Sequence, residues 1–235
     1  MKEEIGNKDI WKSGLSVFGL TLLLSLPEFF TSPGAKQLEY AELAEKIMSG
    51  AVPYRDFNAD ISPAVYYLYA LGIALSKGEF FGVFLLDALV RALTSFFVYL
   101  LVRKYLDNFW SFLCGLIYGV GAGALCVYWD LCATPVFFAL LFALMSFHYF
   151  PGEKIGSGVV AGITAGLAMV TYLPMGLLVL VFSAIALIIP RKTWEPRPRR
   201  AKLFSYLYGV VIVVTYFGFY LLLSWSFDDF IKSIF

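Results

Sequence analysis

A bundle of α-helices crossing a membrane is the fold class this sequence predicts, and three observations predict it. Hydrophobic residues make up 60% of the 235 and charged residues only 15%, with a mean hydropathy of +0.77, where a soluble domain carries about 45–50% and about 25%. The apolar residues come in runs close to the length of about 20 that a spanning helix needs. The charges are sorted into the segments between those runs, so the net charge of +1 builds no basic face for a nucleic acid.

Seven runs qualify as spans: residues 12–31, 80–102, 109–128, 132–150, 156–173, 174–190 and 203–225. The stretch 156–190 is apolar throughout, but as one helix at about 1.5 Å per residue it would far exceed a hydrocarbon core of about 30 Å. Pro174 therefore marks a turn between two short spans. Gly156, Gly158, Gly162 and Gly166 in this region have the spacing of close helix packing, and no strand precedes them to make a nucleotide loop.

Orientation follows from the basic residues. With Lys2, Lys8 and Lys12 in the cytoplasm and residues 61–76 not crossing, Arg103, Lys104, Lys154 and the six Lys and Arg of 191–202 fall on the same side, 12 of the 18 in the chain. The N-terminus is then cytoplasmic and the C-terminus extracytoplasmic, in a multi-pass protein expected in a plasma membrane of prokaryotic type. Residues 1–235 form a single transmembrane domain. The first apolar run follows a charged segment and is followed by PEFF, which is not a signal-peptide cleavage site.

Residues 32–79 become an extracytoplasmic loop with two interfacial helices. Leu38, Ala41, Ala44, Ile47 and Met48 share one arc of a helix over 37–49, with Glu39, Glu42, Glu45 and Lys46 on the rest, and Gly50 stops it. Pro53 opens a turn through Tyr54, Arg55 and Asp56, and Pro63 starts a second helix whose Tyr66, Tyr67 and Tyr69 suit a membrane interface.

Among individual residues, Cys114, Cys126 and Cys132 lack metal-site spacing and read as packing residues, with a Cys126–Cys132 disulfide on an oxidising face as the alternative. His148 has no second ligand nearby in sequence and reads as interfacial. Asp87 and Arg91 lie four apart on one helix face, a spacing that predicts a mutual ion pair turned away from lipid; a lipid phosphate is the alternative partner for Arg91.

The run EYAELAEKIMSGAVPYRDFNADISPAVYYLYAL (39–71) resembles the first extracytoplasmic loop of C-type (GT-C) glycosyltransferases that use polyprenyl-phosphate sugars. LVRALTS (89–95) is similar to the start of that family's second span, AGITAGLAMVTYLPMGLLVLV (161–181) to its fifth and sixth, and SFDDFIKSIF (226–235) to the segment after its seventh. The resemblance implies a sugar carried on a lipid phosphate, with a first-loop carboxylate that takes the acceptor hydroxyl's proton or helps hold a divalent cation. Its pattern has an acidic residue four before Tyr40, where this chain has Lys36. The base is then expected from Asp56, Asp60 or Glu39, and the substrate contacts from Arg55, Arg91, Asp130 and Tyr54, with no metal ligands identified. Expected partners are membrane lipid, a polyprenyl-phosphate sugar and other membrane subunits. Family members usually continue for further spans, so the chain is expected to be the front half of such a protein, as a short form or a fragment. The alternative function is a non-catalytic structural subunit of a larger membrane complex, favoured by Lys36; a transporter is less well supported, since the spans hold few polar residues.

Overall fold

In the computed structural model the described residues are 7–57, 59, 62–77, 80–129, 135–150, 155–188, 199–226 and 230, and their regular structure is helical apart from one isolated bridge between Pro53 and Phe57. The elements in order are α1 (Asn7–Leu24), a 3-10 turn (Leu26–Phe30), α2 (Ala35–Met48), α3 (Pro63–Leu75), α4 (Phe81–Val102), α5 (Asn108–Trp129), α6 (Pro135–Tyr149), α7 (Ile155–Thr171), α8 (Leu173–Ile188) and α9 (Arg199–Leu223).

Among the described residues, four segments are long and apolar enough to cross a membrane: Asp9–Phe30, Phe81–Val102, Asn108–Leu125 and Ala201–Leu223. The helices in the other three expected spans are apolar but shorter, at 15, 17 and 16 residues for α6, α7 and α8. At about 1.5 Å per residue these reach about 22–26 Å, below a hydrocarbon core of about 30 Å. The break between α7 and α8 falls at Tyr172, with Pro174 in the first turn of α8, where its missing N–H leaves no helical bond unmade.

Two packing centres organise the bundle. In the first, α4 touches α1, α5, α3 and α6; in the second, α7 touches α9, α6 and α8. Each centre contains a row of glycines four residues apart. On α5, Gly115, Gly119 and Gly123 face Val17, Thr21 and Glu28 from the α1 side, and Ser95 and Arg91 from α4. On α7, Gly158, Gly162 and Gly166 face Ser205, Tyr206, Gly209, Val210 and Val213 of α9. Gly156 is different from the expectation, since nothing lies within 4 Å of where its Cβ would be.

The contacts sort the helix ends into two groups. At one end Tyr99 donates to Asn108 (2.8 Å), Asn108 donates to Ser13 (3.2 Å), Lys104 donates to the His148 carbonyl (3.1 Å) and the Lys202 ammonium lies over the Phe150 ring. At the other end the 3-10 turn, α2, α3 and the start of α4 gather. There the Ser62 hydroxyl donates to the Val170 carbonyl near the end of α7, and the Tyr67 and Tyr220 hydroxyls share a hydrogen bond of 2.7 Å near the end of α9.

Candidate functional site

Of the described residues expected to carry chemistry, Tyr54, Arg55 and Asp56 lie in the turn after α2, Arg91 lies deeper on α4, and Glu39 lies on α2 itself. Helix α2 is capped at both ends. The Gly34 N–H donates to Gln37 Oε1 (3.1 Å) at its start. At its finish Gly50 takes φ +97°, Ala51 N–H reaches the Lys46 carbonyl and Gly50 N–H the Ile47 carbonyl, which is the hydrogen-bond pair of a glycine-stopped helix.

The buried face of α2 is rotated from the arc the sequence predicts. Gln37, Tyr40, Ala41 and Ala44 are buried, while Leu38 and Met48 remain 44% and 50% exposed. Tyr40 decides the rotation, because its ring packs edge-on against both Tyr66 and Tyr69 of α3, at 5.8 and 5.9 Å. Tyr66 and Tyr69 are accordingly buried in the protein core, and of the three tyrosines expected at an interface only Tyr67 is exposed.

The opposite face of α2 carries Lys36 and Glu39, an exposed ion pair at 2.8 Å. Beyond Gly50, Asp56 staples the turn. Its carboxylate accepts from Arg55 Nε (2.9 Å) and Nη2 (2.8 Å) and from the Val52 N–H (2.7 Å). Hydrogen bonding to Arg55, then to the Val52 amide, holds the Asp56 carboxyl down at about 2. Tyr54 sits in the left-handed region at φ +67°, its ring edge-on to Phe230 at 5.3 Å, and burial pushes its phenol well above the ordinary range.

Beneath this surface is a buried polar layer that sequence reading only half anticipated. Asp87 and Arg91 are 7% and 6% exposed and turned into the protein, as their depth requires. The mutual pair expected from their spacing is replaced by partners on other elements. Arg91 grips Glu28 of the 3-10 turn through both terminal guanidinium nitrogens, Nη2 to Oε2 at 2.6 Å, and Asp87 accepts from Gln37 Nε2 (2.7 Å) and from the Tyr69 hydroxyl (3.5 Å). A fork facing a carboxylate along the groove between helices makes two parallel bonds that a neighbour one turn away on the same helix cannot offer. Glu28 and Gln37 were not singled out from the sequence. The available signal for Glu28 was a carboxylate set in the apolar run LPEFF; Gln37 gave none.

Asp60, Asp130 and Cys132 lie outside the described residues, and with Cys132 the expected disulfide. Cys114 is a half-buried free thiol. Among the described residues no three His, Cys, Asp or Glu side chains converge as a metal site would require. The described surface thus carries two exposed ion pairs, Lys36–Glu39 at the start of α2 and Arg55–Asp56 in the turn beyond it, and the start of α2 is joined to the buried layer through Gln37 and Asp87.

A sequence profile of the family described as dolichyl-phosphate-mannose-protein mannosyltransferase matches residues 60–225. The match takes in α3 to α9, and α2 with the turn at 51–57 lies before it. No curated protein and no solved structure matches the chain.

Proposed function

Because the chain belongs to the dolichyl-phosphate-mannose-protein mannosyltransferase family, whose members are GT-C type enzymes, we propose that it binds a polyprenyl-phosphate sugar at the end of the bundle that carries α2 and the 51–57 turn. In this reading the chain is a single transmembrane domain with seven spans, α6, α7 and α8 included, and residues 32–79 are extracytoplasmic with α2 and α3 at the interface. The N-terminus is cytoplasmic and the C-terminus extracytoplasmic. The observation that carries the reading is the exposed charge along α2 and the turn that follows it, with the Lys36–Glu39 pair at the start of the helix and the Arg55–Asp56 pair beyond its end.

The chemistry divides among these residues. A departing lipid phosphate gathers negative charge, and the cations assigned to meet it are Arg55 in the turn or Lys36 at the other end of α2. The acceptor hydroxyl needs a proton acceptor within hydrogen-bond reach. Asp56 is the poorest of the three candidates, because a carboxylate held at about 2 by Arg55 and the Val52 amide has little affinity for a proton at neutral pH. Glu39, which pairs with Lys36, and Asp60 remain the candidates for the base. Tyr54 supplies a half-buried ring and hydroxyl beside Arg55, and Asp130 is assigned to the acceptor or to a divalent cation.

The second reading is a non-catalytic subunit in which donor binding outlived transfer. Lys36 favours it, as a cation at the position where the family pattern has an acid and in contact with the nearest carboxylate. Sugar transfer from a radiolabelled polyprenyl-phosphate hexose, measured for the wild type and for Glu39→Gln, Asp60→Asn and Asp56→Asn, separates the two. The enzymatic reading expects wild-type transfer that falls on the order of 10²-fold or more in Glu39→Gln or Asp60→Asn. Donor binding without transfer in the wild type, with transfer appearing in Lys36→Asp, supports the subunit. Absence of donor binding would overturn both.

A further inference from the structure

The buried layer under the candidate site has an arrangement that a ligand-binding role does not explain. Asp87 and Arg91 are one turn apart on α4, and each is held from outside that helix by a segment of the outer loop. Arg91 takes Glu28 of the 3-10 turn through which the chain leaves α1. Asp87 takes Gln37 of α2 and Tyr69 of α3. Gln37 serves two purposes at once, because its Oε1 caps the start of α2 at Gly34 while its Nε2 donates to Asp87. Other packing of α2 is against α3, through Tyr40, Ala41 and Ala44. A second helix makes room for the layer: a Cβ at Gly123 of α5 would sit 2.9 Å from Arg91 Nη1 and 3.2 Å from Glu28 Oε1.

We propose that Gln37 and Asp87 are positioning residues for the outer site: their hydrogen bond fixes the register of α2 on α4 and so sets where Lys36 and Glu39, one and two residues from Gln37, are presented. Arg91 belongs to the same device through Glu28, one turn deeper, instead of reaching a lipid phosphate. The proposal rests on the reading of the α2 surface as the ligand face, but its geometry is independent of what binds there. A side-chain amide is suited to the task, since it donates to the carboxylate and accepts from the helix start simultaneously, which neither a leucine nor a glutamate at 37 can do. The bond is also sheltered from water, so its loss leaves a buried carboxylate short of a donor.

The test reads position directly. Spin labels at Glu42→Cys on α2 and Leu85→Cys on α4 would be introduced in a background lacking Cys114, Cys126 and Cys132, with the protein in lipid nanodiscs and the distance distribution taken by pulsed electron resonance. A second pair, Val160→Cys on α7 and Tyr208→Cys on α9, reports on the rest of the bundle. The expected result is one narrow 42–85 distribution that broadens or gains a second peak in Gln37→Leu and in Asp87→Leu, and stays narrow in Asp87→Asn, which keeps an acceptor for the Gln37 amide. The 160–208 distribution should not change in any of them. An unchanged 42–85 distribution in Gln37→Leu would overturn the proposal. So would an Asp87→Asn protein as broad as Asp87→Leu, or broadening of the 160–208 pair alongside, which would show a general loss of packing. No donor enters the measurement, so failure here is distinct from failure of the proposed function.

Discussion

The two glycine rows have the same spacing, but Gly119 and Gly123 of one and Gly162 of the other are filled differently. On α5, the space left by Gly119 and Gly123 is filled by side chains with polar ends: Thr21, Ser95, Arg91 and Glu28. On α7, the space left by Gly162 is filled by backbone, because a Cβ there would land inside van der Waals contact of the Tyr206 carbonyl and 3.0 Å from the Gly209 Cα. Gly123 makes a pocket for charge; Gly162 lets two helices touch directly, as small residues do in membrane bundles. Small-residue spacing therefore announces close approach without announcing what approaches.

The comparison predicts its largest effect at the charged row. Replacing Glu28 by Leu removes the carboxylate that the buried Arg91 guanidinium grips, which should destabilise the fold by about 3–5 kcal/mol, whereas Glu28→Leu combined with Arg91→Leu should recover most of the loss. Unfolding titrations of the detergent-solubilised protein would show it; a double variant no more stable than the single one would mean that the pair is not the source of the cost.

The same substitution made in both rows sharpens the contrast. Gly162→Ala meets a carbonyl that cannot move without separating α7 from α9, so a cost of about 3 kcal/mol is expected. Gly123→Ala meets the far end of the Arg91 side chain, which can shift, so about 1 kcal/mol is expected. Melting of the two variants beside the wild type gives the order, and equal losses would erase the distinction between the rows.

How much of this was legible in the sequence depends on the range of the interaction. The α7 glycines, the break at Pro174, the glycine stop of α2 and the proline start of α3 are local signals, carried by backbone chemistry at the residue itself. The rotation of α2 was not legible, because Tyr40 and Gln37 are buried by partners on α3 and α4 that no helical periodicity within α2 can report. Arg91 was recognised as an intramembrane charge, but its neighbour in sequence, Asp87, proved a worse guide than Glu28, 63 positions away. For the candidate site, Lys36, Glu39, Arg55 and Asp56 could be named from the motif. That Asp56 is occupied by its own turn required coordinates, since the Val52 amide points at it only after the chain has doubled back.

The smallest predicted effect lies at that turn. Folding lowers the Asp56 carboxyl from an ordinary value of 3.8 to about 2. The folded turn thus binds the proton less tightly than the unfolded chain, and the staple's contribution is complete above about pH 4 and lost as pH falls through about 2. Hydrogen exchange at the Val52 amide should be slowed above this window and approach that of Asp56→Asn below it, with the exchange of amides in α7 unaffected. A Val52 amide equally protected in Asp56→Asn at neutral pH would show that the carboxylate does not hold the turn.

The two regions also differ in what they are proposed to do, since the charged junction supports the ligand surface and the α7–α9 junction builds the bundle. A photoreactive polyprenyl phosphate, cross-linked to the protein in nanodiscs and mapped by mass spectrometry of the peptides, tests that assignment most directly. The predicted result is saturable labelling within residues 32–79, removed by excess polyprenyl-phosphate sugar and not by phosphatidylglycerol, and reduced in Arg55→Ala. Labelling confined to α7 and α9, or labelling anywhere that excess donor fails to compete, would contradict it.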